Sequence, residues 1–372
     1  MAIPLVDLKA QYLAIQPEVQ AAIGRVLDST RFIAGPELTQ FEAEFAAFCA
    51  AEHCVGVASG TTALSLALQA AGIGPGDEVI TSTFTFAATV EAILHVGARP
   101  VLVDVDPPTA TIPADLVLQA VTGRTKAILP VHLYGHPADM EPLLEICSRY
   151  GLLLLNDAAQ AHGARYKGTP LAQLGQASCF SFYPGKNLGA YGDAGAVVTQ
   201  DPTIATRVRA LADHGREAGS KYEHALVGYN GRMDALQAAV LRAKLPHLSA
   251  WNDRRRALAS RYDQAFEGSQ VRPLRPAPWA TPVYHLYVVR LPRGTRPAVQ
   301  QALSAAGIAT GVHYPIPLHL QPAFSALGYR QGDFPAAEDL ADTVLSLPLY
   351  PELDESQVDT VATRLLSALA DC

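Results

Sequence analysis

No two of the five cysteines in this 372-residue chain are spaced as CxxC, and their number is odd. Cys49, Cys54, Cys147, Cys179 and Cys372 therefore point to neither a disulfide framework nor a zinc knuckle, and a reducing cytoplasm is the expected location. Basic charge is scarce as well. A net charge of -7 and an isoelectric point near 5.9 offer nucleic acid no electrostatic footprint, and the arginine triplet in "NDRRRAL" reads as a solvated helix face. No apolar run approaches the ~20 residues that span a bilayer, and the amino-terminal "MAIPLVDLKAQYLAIQ" has no basic segment ahead of an apolar core. A protein neither exported nor membrane-spanning is expected.

Several catalytic signatures are missing too. In "CFSFYPGKNLGAYGDAGAV" Lys186 is followed by Asn187, and Phe180 stands where a nucleotide-phosphate loop needs its first glycine. There is no GxSxG elbow, and "GIGPGDE" lacks the third glycine of a dinucleotide fingerprint. His132 and His136 are four apart, but Gly135 and Pro137 break the helix that would make them a metal pair. Asp104 and Asp106 lie on one face of one strand, whereas glycosidase carboxylates come from separate elements. No metal site is expected.

What is present is a large α/β pattern, long enough to bury a substantial core. From residue 53 to about 200, short apolar runs ("VGVAS", "EVITSTF", "PVLVDV", "AILPVHL", "LLLLND", "AGAVVT") alternate with helical patterns such as "TTALSLALQAAG". Continuous apolar strands between helices predict a mainly parallel sheet covered on both faces, with ligands at the carboxyl ends of its strands. One long helical region is predicted from about Met233 to Phe266, followed by the proline-rich "SQVRPLRPAPWATP" as a linker or irregular crossing. Beyond it "VYHLYVVRL" reads as a strand, and "RPAVQQALSAAG" and "DESQVDTVATRLLSALA" as helices. The expected division is a large domain over 1–245, including an amino-terminal arm, and a smaller α+β domain over 246–372.

Three features fall at the ends of predicted elements. Ser59, Gly60, Thr61 and Thr62 carry a strand into a helix, so free N–H groups and hydroxyls meet at a helix amino terminus, which attracts anions; a plain threonine cap is the alternative. Asp157 leaves a run of four leucines at a strand's carboxyl end, where a carboxylate needs a partner or caps a turn. Lys186 follows an alternating strand, and a partly buried amine of lowered pKa forms Schiff bases with aldehydes. Together the three describe a pyridoxal phosphate site: the helix start holds the phosphate, Asp157 keeps the pyridine nitrogen protonated and Lys186 carries the Schiff base. Glycines behind the lysine let the backbone fold closely beneath the cofactor.

The ordered segments "ASGTTAL", "GIGPGDEVI", "TFTFAAT", "RTKAILPVHLYGHPADM", "NDAAQAHGARYKG", "CFSFYPGKNLGAYGDAGAVVT" and "VGYNGRMDALQAA" resemble, over nearly the whole chain, the DegT/DnrJ/EryC1/StrS family of sugar aminotransferases. That resemblance implies the aspartate aminotransferase fold, fold type I of the pyridoxal phosphate enzymes. It also implies Lys186 as the Schiff-base lysine, Asp157 as the pyridinium partner, Gln160 beside the ring and Phe86 stacked on it. Gly60, Thr61, Thr62 and Ser181 are implied at the phosphate, as is Asn230 reaching across from the second subunit of a homodimer with shared sites. Many relatives have threonine at Gly185, glutamate at Asn156 and glycine at Ala194; none of the three supplies the central chemistry. Lysine at 186 argues against the sugar dehydratases, which carry histidine there.

The expected activity is transfer of an amino group from an amino acid, by resemblance glutamate, to a nucleotide-linked keto sugar. "TGVHYPIPLHLQPAF" resembles members that aminate the third carbon of a hexose, so a 3-keto-6-deoxyhexose is expected over a 4-keto one. His313, Tyr314 and His319 are the candidate sugar contacts, and Arg216, Lys221 and Arg232 the candidate cations for the nucleotide phosphates. The rival readings are a 4-keto aminotransferase, a dehydratase using the same cofactor, and a regulatory protein that binds pyridoxal phosphate without turnover.

Overall fold

The protein is described here from a computed structural model covering residues 2–216 and 222–372. Strands β1 (His53–Val57), β2 (Glu78–Ser82), β3 (Arg99–Val103), β4 (Thr125–Leu129), β5 (Leu153–Asp157), β6 (Ala177–Ser181) and β7 (Gly195–Thr199) form one sheet. Its order is β1-β7-β6-β5-β4-β2-β3. The apolar runs put buried residues on both faces, as the near-complete burial of β2 and β7 shows. Six strands run one way. β7 is reversed, pairing antiparallel with both β1 and β6, a direction that a continuous apolar run does not encode.

The two sheet faces have separate cores. Leu64, Leu68, Ile93 and Leu155 belong to one, and Phe41, Phe45, Phe180 and Phe182 to the other. The second is built around Phe45, whose ring meets Phe180 and Phe182 edge-on at centroid distances of 5.2 Å and stacks on Phe41 at 5.6 Å. Side chains alternate along and just beyond β6, so the two phenylalanines that pack here leave Ser181, between them, facing the other way.

The expected long helix is two helices. Ala235–Lys244 and Leu248–Ala265 are separated by a 3-10 turn, Leu245–His247, because Pro246 has no N–H to continue the first. The arginine triplet is not wholly solvated: Arg255 is buried, donating from Nη1 to the carbonyls of Leu349 at 2.8 Å and Tyr284 at 3.2 Å. The proline-rich crossing carries order too. Arg272–Pro273 (β8) pairs with β9 (Tyr287–Arg290), which pairs with β10 (Val344–Leu347), all antiparallel. Ala280–Thr281 adds an edge to the Arg165–Tyr166 hairpin. The helices Leu248–Ala265 and Glu355–Ala370 cover the β8–β10 sheet around Tyr262, Tyr287 and Leu365.

Asp104 accepts from the N–H groups of Ala336 and Ala337, at 2.9 and 2.8 Å, and so caps the Pro335–Thr343 helix. The five cysteines are free and four are buried. Among the described residues no helix is long and apolar enough to cross a membrane.

Phe45→Ala is expected to destabilise the protein by roughly 3–5 kcal/mol, the usual range for emptying a phenylalanine site in a core. Urea unfolding measures it; a loss under about 1 kcal/mol would show that this cluster is not the anchor of its face.

Candidate functional site

The site forms where three backbones touch. Beyond β1, Ser59 caps the Gly60–Ala70 helix, its hydroxyl accepting from the Thr62 N–H at 3.0 Å. A Cβ on Gly60 would lie 2.6 Å from the Cβ of Ser181, and one on Gly195 only 2.3 Å from the carbonyl oxygen of Ser59. Only glycine lets the helix start, the end of β6 and the start of β7 meet this closely. First-turn N–H groups have no acceptor within their helix, so those of Gly60 and Thr61 remain for an anion beside Ser181 once Ser59 has taken that of Thr62.

Asp157 ends β5 and is buried. Thr89 donates to its Oδ2 at 2.8 Å, and the Ala159 N–H to its Oδ1 at 3.2 Å. Burial pushes the carboxyl pKa up, while those two donors and the Lys186 charge pull the other way. Lys186 sits in the turn after β6, its N–H donating to the Tyr183 carbonyl at 2.8 Å. Desolvation lowers its amine pKa to about 8, against the opposing pull of Asp157. Of the glycines behind it, Gly189 is as constrained as Gly195, since a Cβ there would strike the Pro184 carbonyl oxygen at 2.3 Å. At Gly185, where many relatives have threonine, a Cβ would meet nothing within 4 Å.

One cavity of about 590 Å3 joins Gly60, Thr61, Phe86, Asp157, Gln160, Ser181 and Lys186. Phe86 is 58% exposed, an unusual state for a phenylalanine, and its ring lies 6.0 Å from that of Tyr314. Gln160 is fixed at both ends: its Oε1 accepts from the Tyr134 N–H at 2.6 Å and its Nε2 donates to the Tyr314 hydroxyl at 3.2 Å. His313 and Tyr314 line the same cavity, and His313 Nδ1 bonds Ser346 Oγ at 2.8 Å.

Other expected residues are elsewhere. Thr62 is beside the cavity, with its hydroxyl on Ser59 at 2.9 Å. His319 is buried among other groups, with Nδ1 at 2.9 Å from Thr83 Oγ1 and Nε2 at 3.0 Å from Glu338 Oε1. Both ring nitrogens are engaged, and the residue does not line the cavity. Arg216 and Arg232 both pair with Asp213 outside the cavity. Asn230 is exposed and bridges to Asp213. Lys221 lies outside the described residues.

Sequence reading missed Thr89, a threonine inside a helix with nothing local to mark it, and the cavity residues Tyr183 and His285. His285 is held neutral by burial and by the neighbouring Lys186, Arg255, His162 and His313. An alternating strand start, "VYHLY", was the one available hint of its direction.

Pyridoxal phosphate fits this arrangement. Gly60 and Ser181 leave room for a phosphate against free N–H groups, Asp157 offers a buried acceptor to a protonated ring nitrogen, and the exposed Phe86 offers a face for a planar ring. In the cofactor-free protein the Lys186 amine is expected to titrate near pH 8 rather than at the ordinary 10.5. Acylation by a small activated ester across pH, followed by peptide mapping with Lys186→Ala as the blank, measures this. A midpoint above pH 10 would mean that the amine is not desolvated.

Residues 13–366 match the DegT/DnrJ/EryC1/StrS aminotransferase family. The dTDP-3-amino-3,4,6-trideoxy-alpha-D-glucose transaminase of Streptomyces venezuelae is 49% identical, over 99% of this chain and 96% of its own. The UDP-N-acetyl-3-dehydro-alpha-D-glucosamine 3-aminotransferase of Acidithiobacillus ferrooxidans is 47% identical over 99% and 98%. Among solved structures, DesV of S. venezuelae in complex with a ketimine intermediate superposes with a TM-score of 0.95 at 49% identity, 98% of each chain being covered. NtdA of Bacillus subtilis with bound cofactor PMP gives 0.89 at 32% identity, over 96% of this chain and 82% of that one. In sequence and in fold alike, the chain belongs to the DegT/DnrJ/EryC1/StrS aminotransferase family.

Proposed function

We propose that this protein is a pyridoxal phosphate-dependent aminotransferase that moves an amino group from glutamate to a nucleotide-linked 3-keto-6-deoxyhexose. The observation that carries the amino-transfer reading is the convergence of Lys186, Asp157 and the Gly60–Thr61 helix start on one cavity. The sugar class is supported by two relatives, at 49% and 47% identity, whose names specify amination at the third carbon of a nucleotide-linked sugar. A cavity of about 590 Å3 is of the size that encloses a small organic ligand.

When bound, pyridoxal phosphate supplies a carbonyl that condenses with amines and a protonated ring that accepts the electron pair left by a departing proton. Asp157 holds the proton on the ring nitrogen, its carboxylate fixed for that purpose by Thr89 and the Ala159 N–H. Lys186 takes the proton from the α-carbon of the donor, and in the second half-reaction returns one to the third carbon of the sugar. An amine poised near pH 8 suits both directions, because neither its protonated nor its free form is scarce near neutrality. Gln160, held by Tyr134 and Tyr314, keeps the cavity wall rigid, and His313 and Tyr314 orient the sugar.

Residues 1–245 would form the cofactor domain and 246–372 the small domain. The exposed Asn230, beside the half-buried Asp213, Arg216 and Arg232, suits a two-fold homodimer in which each chain reaches the other's phosphate. Such a protein works in the cytoplasm, where nucleotide sugars and glutamate are at hand.

Adding glutamate to the cofactor-loaded protein is expected to bleach its visible absorbance, and a 3-keto sugar linked to a nucleotide to restore it with release of amino sugar, read by mass spectrometry. Absorbance unmoved by glutamate would leave a protein that binds cofactor without turnover. Faster turnover of the matched 4-keto compound would overturn the choice of carbon alone. For the shared site, mixing inactive Lys186→Ala with inactive Asn230→Asp is expected to restore activity through hybrid dimers having one intact site; no recovery under verified subunit exchange means the sites are independent.

A further inference from the structure

Lys186 is not the sole lysine whose amine is held near neutrality. Burial also lowers Lys244 to about 8, against a pull from Glu352. Acidity alone therefore does not mark the reactive amine. The two differ in access: Lys186 opens on the cavity, whereas Lys244 is 0% exposed and does not line it. A fully buried lysine with no carboxylate bonded to it is costly to keep, so its location has a cause beyond packing.

The Lys244 ammonium ends the Ala235–Lys244 helix and donates to the carbonyl of Gly189 at 2.7 Å. It also lies 4.3 Å from the centroid of the Tyr191 ring. Both contacts are to the segment that leaves Lys186. Gly189 is the residue that folds against the Pro184 carbonyl, closing the turn from Pro184 to Gly189 around the reactive amine. A second anchor acts on the residue next to the lysine. Asn187 is buried, and its Nδ2 donates to Asn252 Oδ1 at 2.9 Å and to the Val283 carbonyl at 2.8 Å. Asn252 in turn donates to the His162 carbonyl at 2.8 Å, and the His162 ring bonds the Ser181 carbonyl at 2.9 Å. The turn is thus tied where it begins, at Ser181, and where it ends, at Asn187 and Gly189.

We infer that Lys244 and Asn187 are positioning residues for Lys186: from beneath the turn they fix the backbone on its exit side and so aim the amine into the cavity. The inference rests on Lys186 being the reactive amine. A displaced amine slows every step in which it must reach a particular atom, and a shift of about 1 Å is enough to cost on the order of 10²-fold in rate. Neither residue touches the ligand space, so affinity for substrates is spared.

The test uses full-length protein freed of cofactor, with pyridoxal phosphate as the probe. Lys244→Met keeps the length of the side chain and removes its donor; Asn187→Ala removes the second anchor. Each folded variant is expected to form its Schiff base, followed by absorbance, at least tenfold more slowly than the parent, and to lose kcat while KM for glutamate stays within twofold. Lys244→Arg, which keeps an N–H donor at that depth, is expected to recover part of the lost rate. If Lys244→Met does not fold, Asn187→Ala and Lys244→Arg decide the matter. A folded Lys244→Met or Asn187→Ala that loads at the parent rate with unchanged kcat overturns the inference, as does a KM rise with kcat preserved. Lys186→Ala run in parallel separates the two readings: covalent trapping that survives in it removes Lys186 itself, whatever the anchors do.

Discussion

The site depends on a contact between backbones. Ser59, Gly60, Ser181 and Gly195 come so close that a methyl group at either glycine would meet an atom well inside van der Waals distance. That proximity puts a helix start, the end of one strand and the start of another around a single small volume. It sets free N–H groups beside a serine and leaves the following turn no direction but into the cavity. The phenylalanines on either side of Ser181 hold the register, because slipping β6 by one residue would drive a serine into the ring cluster around Phe45 and turn phenylalanine toward the anion.

Electrostatics then work on what the backbone has placed. Asp157 is buried and Lys186 partly so, and each favours the charged form of the other while desolvation opposes it. Neither effect is fully cancelled, and the outcome is a carboxyl group shifted upward and an amine shifted downward. His162, His285 and His313 sit around the lysine with pKa values lowered by burial and by its charge. They contribute neutral donors and acceptors without adding to the positive charge.

What the sequence made legible follows physical lines. Strand runs were readable because a strand buried on both faces must be apolar throughout, and Lys186 and Asp157 because a charged side chain directly after such a run needs a reason. Direction was not readable: nothing in "AGAVVT" reveals that β7 is reversed. Partnerships across long sequence separations were hidden as well. Thr89 reaches Asp157 across 68 residues and Asn187 reaches Val283 across 96, and neither pairing leaves a local trace. Arg255 was misread for a related reason, since an arginine in a charged stretch gives no sign that backbone carbonyls await it.

The reversal of β7 bears on how this fold can change over time. Most of the parallel strands are joined through a helix, and extra residues can be absorbed at its ends. Between β6 and β7 it returns along the same edge, and the short path is tied at Asn187, Gly189 and Tyr191 to two helices beneath it. An added or deleted residue there has nowhere to be taken up. Length in this stretch is therefore constrained by geometry before chemistry is considered, while surface connections elsewhere carry no such tether.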